Sequence, residues 1–288
     1  MAEFFWQPFA EFSFMRRALV ACLAIALGSA PLGVLLVLRR MSLVGDALSH
    51  AILPGAAIGF LIAGFSLTAM SIGGMVAGLT VALLAGLLSR LTDQREDANF
   101  AALFLIALAL GVMLISLQGS SMDVVHILFG SILAVDDASL LMVASIASIT
   151  MFLLAVSFRA LIMECFDPGF MRAIGAGGLI WHLLFLSLVV MNLVSGFHAL
   201  GTLMSVGLMM VPAAAARYWS HEIGSIMLAA TSMAMVSGYA GLLLSYHQGI
   251  ASGPAIILIA GMFFAASVLF GPRGGLLSKL MIRRHLEG

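Results

Sequence analysis

Runs of about 20 largely apolar residues alternate along the chain with short polar connections. About 30 Å of hydrocarbon, at about 1.5 Å per residue, calls for helices of that length. Nine stretches qualify: 18–38, 44–64, 67–89, 98–117, 138–158, 177–196, 198–216, 223–246 and 253–271. The sixth and seventh nearly touch. As one helix they would reach about 60 Å, twice the bilayer, so a tight turn is expected near Ser195-Gly196. The pattern predicts an all-α polytopic membrane protein of nine spans, or eight, in a single domain over 1–288.

Composition agrees. The chain is 62% hydrophobic and 9% charged, against about 45–50% and about 25% in soluble domains, and its mean hydropathy is +1.17. Thirteen acidic and thirteen basic residues cancel, which leaves no basic patch for a nucleic acid. Cys22 and Cys165 make neither a disulfide framework nor a four-cysteine metal site. Arg16-Arg17 before an apolar run imitates a targeting signal, but the run continues through Pro31 to Leu38, long enough to span.

Arginine and lysine set the expected orientation, because short cytoplasmic loops are enriched in them. Arg39, Arg40, Arg90, Arg95, Arg159, Arg172, Arg217, Arg273, Lys279, Arg283 and Arg284 fall in every second connection. The alternate connections hold none, and the longest carries Asp123, Asp136 and Asp137. The amino terminus is therefore expected outside and the carboxyl terminus in the cytoplasm, with Arg16 and Arg17 dissenting.

Two connections are more than linkers. His126 to Val135 is apolar yet too short to cross, the length of a re-entrant or interfacial segment. The stretch Glu164 to Gly175 offers Asp167 as N-cap, Pro168 at the first helical position and Gly175 at the stop. A short cytosolic helix is expected there. Gly55 to Gly59 and Gly74 to Gly78 repeat the small-xxx-small spacing of close helix packing, within the chain rather than as a dimer seam.

Ionisable side chains deep in a span are costly and mark functional sites. Asp46 and His50 lie four apart, on one helix face. Counting from Arg40, they sit about 9 and about 15 Å deep, near where transporters hold substrate. Pro54 has no N–H for the carbonyl of residue 50, so that carbonyl is expected to be freed. A carboxylate and an imidazole suit a divalent transition metal such as zinc or manganese. Two such pairs in a twofold dimer would supply the four donors zinc prefers. The competing reading is structural, with Asp46 capping the helix and His50 bonding a neighbour.

His198, His247 and His126 are weaker candidates for the ion path, and His182 has no identifiable partner. The 20 methionines are scattered and read as packing rather than as copper ligands. Pro212, within Gly201 to Arg217, frees the carbonyl of Leu208 and marks a bend. Lys279 is the only lysine and follows no phosphate-binding loop, so a P-loop is excluded. His221-Glu222 lacks the second histidine of a zinc-protease helix.

The chain resembles the permease subunits of bacterial zinc/manganese ABC importers, and the zinc-uptake permease most. The likeness runs over nearly the whole length. It is carried by Gly28 to Gly33 with Arg39-Arg40-Met41, Gly45-Asp46-Ala47-Leu48-Ser49-His50-Ala51, Leu128 to Val135, Phe166 to Gly175, and Val211 to Arg217.

The resemblance implies an inner-membrane homodimer, two cytosolic ATP-binding subunits and an extracytoplasmic metal-binding protein. It also implies no catalytic residues and no resident cofactor, Zn2+ or Mn2+ being cargo. Asp46 and His50 would line the metal path. Asp167, Pro168, Gly169, Phe170 and Gly175 would belong to the coupling helix that meets the ATPase. The run Ala213 to Ala216 departs from many relatives in lacking Thr or Ser. Zinc is expected over manganese, moved inward by ATP-driven alternating access. The alternatives are an ion-coupled secondary carrier using Asp46 and His50 as a relay, and an intramembrane enzyme with His50 as base.

Overall fold

In the computed structural model the described residues are 2–64, 66–92, 94–117 and 135–277, and no strand occurs among them. They form α1 (Ala2–Glu11), α2 (Ser13–Leu38), α3 (Val44–Ala51), α4 (Leu53–Ala63), α5 (Leu67–Leu91), α6 (Glu96–Leu117), α7 (Asp137–Phe166), α8 (Pro168–Ala173), α9 (Gly178–Leu200), α10 (Thr202–Ala216), α11 (Ile223–Gln248) and α12 (Ser252–Phe270). Eight segments among them are long and apolar enough to cross a membrane, α3 and α4 counting as one broken span. The 15-residue α10, the seventh predicted stretch, is shorter. The segment from His126 to Ala134 lies outside the described residues.

Helix α2 is the hub. It packs on α7, α9, α10 and α11, and α3 on α5, α6, α9 and α10. One apolar cluster gathers α2, α10 and α11 around Ile25, Leu208 and Ala230. A second joins α2, α3, α5, α7 and α9 around Leu35, Leu48, Ala82, Leu161 and Phe185. Between α7 and α9, buried Asn192 donates to the Thr150 hydroxyl at 2.7 Å.

The predicted turn at Ser195-Gly196 is corrected by the structure, which keeps both residues inside α9. The chain reverses instead at Gly201, whose φ of +88° only glycine adopts without strain. Gly196 serves packing. A Cβ there would run into the Ser205 side chain on α10, so its bareness brings α9 and α10 together.

The glycine spacing between α4 and α5 is an intramolecular seam, as expected. Gly55 faces the backbone of Gly73, and Gly59 faces that of Ala69 and Met70.

Candidate functional site

The entry to α3 is set by the end of α2. Arg40 takes a left-handed φ of +60°, and the Met41 N–H donates to the Leu36 carbonyl at 2.9 Å. That bond closes a Schellman-type cap, and Met41 plugs into the core beside it. From there Val44, Leu48 and Ile52, four apart and all buried, form the inward stripe. Asp46 and His50 fall on the other side, toward α6.

There His50 Nε2 stands 3.8 Å from Asp46 Oδ1, with the imidazole 31% and the carboxylate side chain 65% exposed. At 3.8 Å the two do not hydrogen-bond. Donors bound to one tetrahedral metal at about 2.1 Å lie roughly 3.4 Å apart, so a few tenths of an ångström separate this pair from a shared ion. The His50 ring packs against Phe104 of α6, with centroids 6.0 Å apart. Asp46 opens into a cavity of about 200 Å³ whose other lining includes Leu43, Phe100, Phe104 and Asp97. Among the described residues no group of three or more His, Cys, Asp or Glu is placed to hold an ion.

The span expected at 44–64 is broken in two, α3 and α4 parting at Ile52 just before Pro54. The His50 carbonyl expected to be free is taken by the N–H of Ile52. Among the other described histidine side chains none joins the pair. His247 is exposed beside Tyr246, at 5.2 Å between ring centroids, and Tyr246 leans on Phe12. His198 lies in α9 with its side chain outside the described set, and His126 lies outside the described residues altogether.

His182, without a partner in the sequence reading, has two. Its Nδ1 lies 2.8 Å from Arg39 Nη1, and its Nε2 lies 2.9 Å from Glu96 Oε1. Next to them Arg90 pairs with buried Glu164. These contacts bring together the ends of α2, α5 and α7 and the starts of α6 and α9, so the connections that follow α2, α5 and α7 share one face of the molecule. The sequence reading missed Glu164 because it ended the fifth span at 158, whereas α7 runs on to Phe166.

The short helix α8 forms where expected. Asp167 Oδ1 accepts the Phe170 N–H at 2.8 Å, Pro168 opens the helix, and Gly175 takes a φ of +67°. Phe166, Phe170 and Ile174 around it are all exposed.

Residues 11–271 match the ABC 3 transport family. The chain belongs to that family. It is 34% identical over 263 residues, 91% of this chain and 92% of the relative, to the manganese import system permease protein ScaB of Streptococcus parasanguinis. It is 31% identical, over 92% of this chain and 87% of the relative, to the chelated iron transport system membrane protein YfeD of Yersinia pestis. Among solved structures it superposes on PsaBC from Streptococcus pneumoniae with a TM-score of 0.82 at 29% identity, covering 96% of this chain and 99% of that one. The chain is thus a multi-pass permease subunit of a metal ABC importer, not an enzyme, and the family implies an ATPase and a substrate-binding partner. These relatives are named for manganese or chelated iron, and the zinc preference of the sequence reading finds no support in them.

Proposed function

We propose that this permease carries a divalent transition metal ion into the cytoplasm past Asp46 and His50, with manganese ahead of zinc. The observation that carries the reading is the 3.8 Å between His50 Nε2 and Asp46 Oδ1, a spacing too long for a mutual bond and nearly right for a common ion. The relatives' names supply the preference for manganese.

Because one chain brings two donors, a second copy completes the set. The exposure of Asp46 leaves its carboxylate free to face that copy. A permanently closed four-donor cage would trap its ion, so the set is complete in one conformation and parted in the other. Energy comes from ATP hydrolysis on two partner subunits that dock on α8, rather than from an ion gradient. An extracytoplasmic protein delivers the ion at the opposite face. The arginine-rich face is the cytoplasmic one, which puts the amino terminus outside.

Intracellular manganese, zinc and iron are to be measured in cells expressing the wild type, Asp46→Asn or His50→Ala at equal membrane levels. Both variants should lose at least about 90% of the accumulation of the transported metal, since each removes a ligand no neighbour replaces. Unchanged accumulation of all three metals would remove the assignment.

A further inference from the structure

A second polar cluster lies beneath α8, and the metal pair does not require it. Arg39, at the end of α2, sits over the Phe185 ring at 4.6 Å from its centroid and donates from Nε to Cys165 Sγ at 2.9 Å. Arginine has only donors, so its contact with His182 at 2.8 Å makes Nδ1 the acceptor and places the imidazole proton on Nε2. That nitrogen faces the Glu96 carboxylate at 2.9 Å but is not aligned as a hydrogen bond. Glu164, 2% exposed in the last turn of α7, pairs with Arg90 at the end of α5. The polar groups Arg39, Cys165, His182, Glu96, Glu164 and Arg90 line one cavity of about 300 Å³, which Pro168 of α8 also lines. Asp97 lines this cavity and also the one that holds Asp46.

Buried ion pairs add little net stability, because desolvation cancels most of their attraction, yet they fix one arrangement against others. Here the Arg90–Glu164 pair and the Arg39–His182–Glu96 contacts join five helices at the point where α8 meets the bundle. Arg39 also stands two residues before Met41, which seats the entry to α3.

We propose that Glu164 and His182 are positioning residues of the transport cycle. The Arg90–Glu164 and Arg39–His182–Glu96 contacts form a clasp that passes a displacement of α8 through α7, α5 and α2 to α3 and its metal pair. This rests on the reading above that α8 receives the ATPase. The two can fail separately.

The test uses the whole transporter, this chain with its ATPase and its metal-binding protein, in proteoliposomes, and reads Mn2+ taken up per ATP hydrolysed. Wild-type liposomes that hydrolyse ATP without taking up Mn2+, Zn2+ or Fe2+ would sink the functional reading itself. Where the wild type transports, Arg90→Gln with Glu164→Gln, which removes both charges of the pair together, should keep assembly and ATP hydrolysis while uptake per ATP falls at least about fivefold. His182→Gln should lower the same ratio. The exchanged pair, Arg90→Glu with Glu164→Arg, should recover at least half of it. A ratio within twofold of wild type in the neutral variants, or no recovery in an assembled exchanged pair, would overturn the proposal. So would loss of assembly in the neutral pair and in His182→Gln alike, which would make the clasp a structural support only.

Discussion

Arg17 Nε lies 2.8 Å from Asp137 Oδ1, tying the start of α2 to the start of α7. The arginine that dissents from the charge pattern is thus matched by an acid of the longest lysine- and arginine-free connection, so it belongs to the face opposite Arg39 and Arg90. Both partners are largely exposed, and pairs of that kind contribute about 0–1 kcal/mol. Asp137→Asn should move the melting temperature of the purified permease by less than about 3 °C. Orientation can be read separately. In a chain with Cys22 and Cys165 replaced, Asp137→Cys should react with a membrane-impermeant thiol reagent on intact spheroplasts, and Arg172→Cys only after the membrane is opened. The reverse pattern would invert the proposed topology.

The seam between α4 and α5 allows a paired prediction. A Cβ on Gly73 would strike the backbone carbonyl of Gly55, and backbone cannot yield as a side-chain tip can. Gly73→Ala should cost about 1–3 kcal/mol through overpacking. Gly261, in α12, has nothing within 4 Å of the same atom. Gly261→Ala should be neutral or stabilising by up to about 1 kcal/mol, since alanine is the better helix former. Thermal unfolding of the two variants in detergent, side by side, checks both. Equal melting temperatures would mean that the seam tolerates a methyl.

What the sequence reveals divides by the range of the interactions involved. Helix length is fixed by bilayer thickness, so the long apolar runs were visible, and α8 was visible because a cap, a proline and a glycine act within nine residues. The pairing of Asp46 with His50 needed only the helical repeat. The reversal at Gly201 was misplaced because Gly196 looks equally able to turn; only the approach of Ser205 shows that its missing side chain serves packing. Glu164 and His182 were illegible as a set. Their partners, Arg90 and Arg39, lie 74 and 143 residues away, and no local spacing encodes such contacts. Helix α1 was missed as well, since its ten residues are too short for the spanning criterion.

Choice of metal should follow the chemistry of position 50. Imidazole suits zinc well, while manganese favours oxygen donors. His50→Asp makes the pair all-oxygen and should raise the ratio of manganese to zinc taken up by at least about fivefold, even if total uptake falls. Competition between the two ions at equal concentration gives the ratio directly. An unchanged ratio would show that selectivity is decided before the ion reaches Asp46 and position 50, for instance on the delivering protein.

Helix α8 carries its own anchor. Phe170 is half-exposed on a six-residue helix whose first turn is held by the Asp167 cap, and Phe166 and Ile174 stand exposed on either side of it. An exposed aromatic on a capped, rigid turn is the kind of anchor that dominates an interface. Phe170→Ala should weaken capture of the ATPase by about tenfold or more, equivalent to about 1.4 kcal/mol. Asp167→Lys with Phe170→Asp should abolish it, because the cap, worth about 1 kcal/mol, is lost together with the anchor. Neither change touches the helices that make up the bundle, so the permease should keep its oligomeric state and its melting temperature within a few degrees. Co-purification from membranes, with native mass spectrometry of the permease alone, separates these effects. Retention of the ATPase by the double variant would remove α8 from the interface.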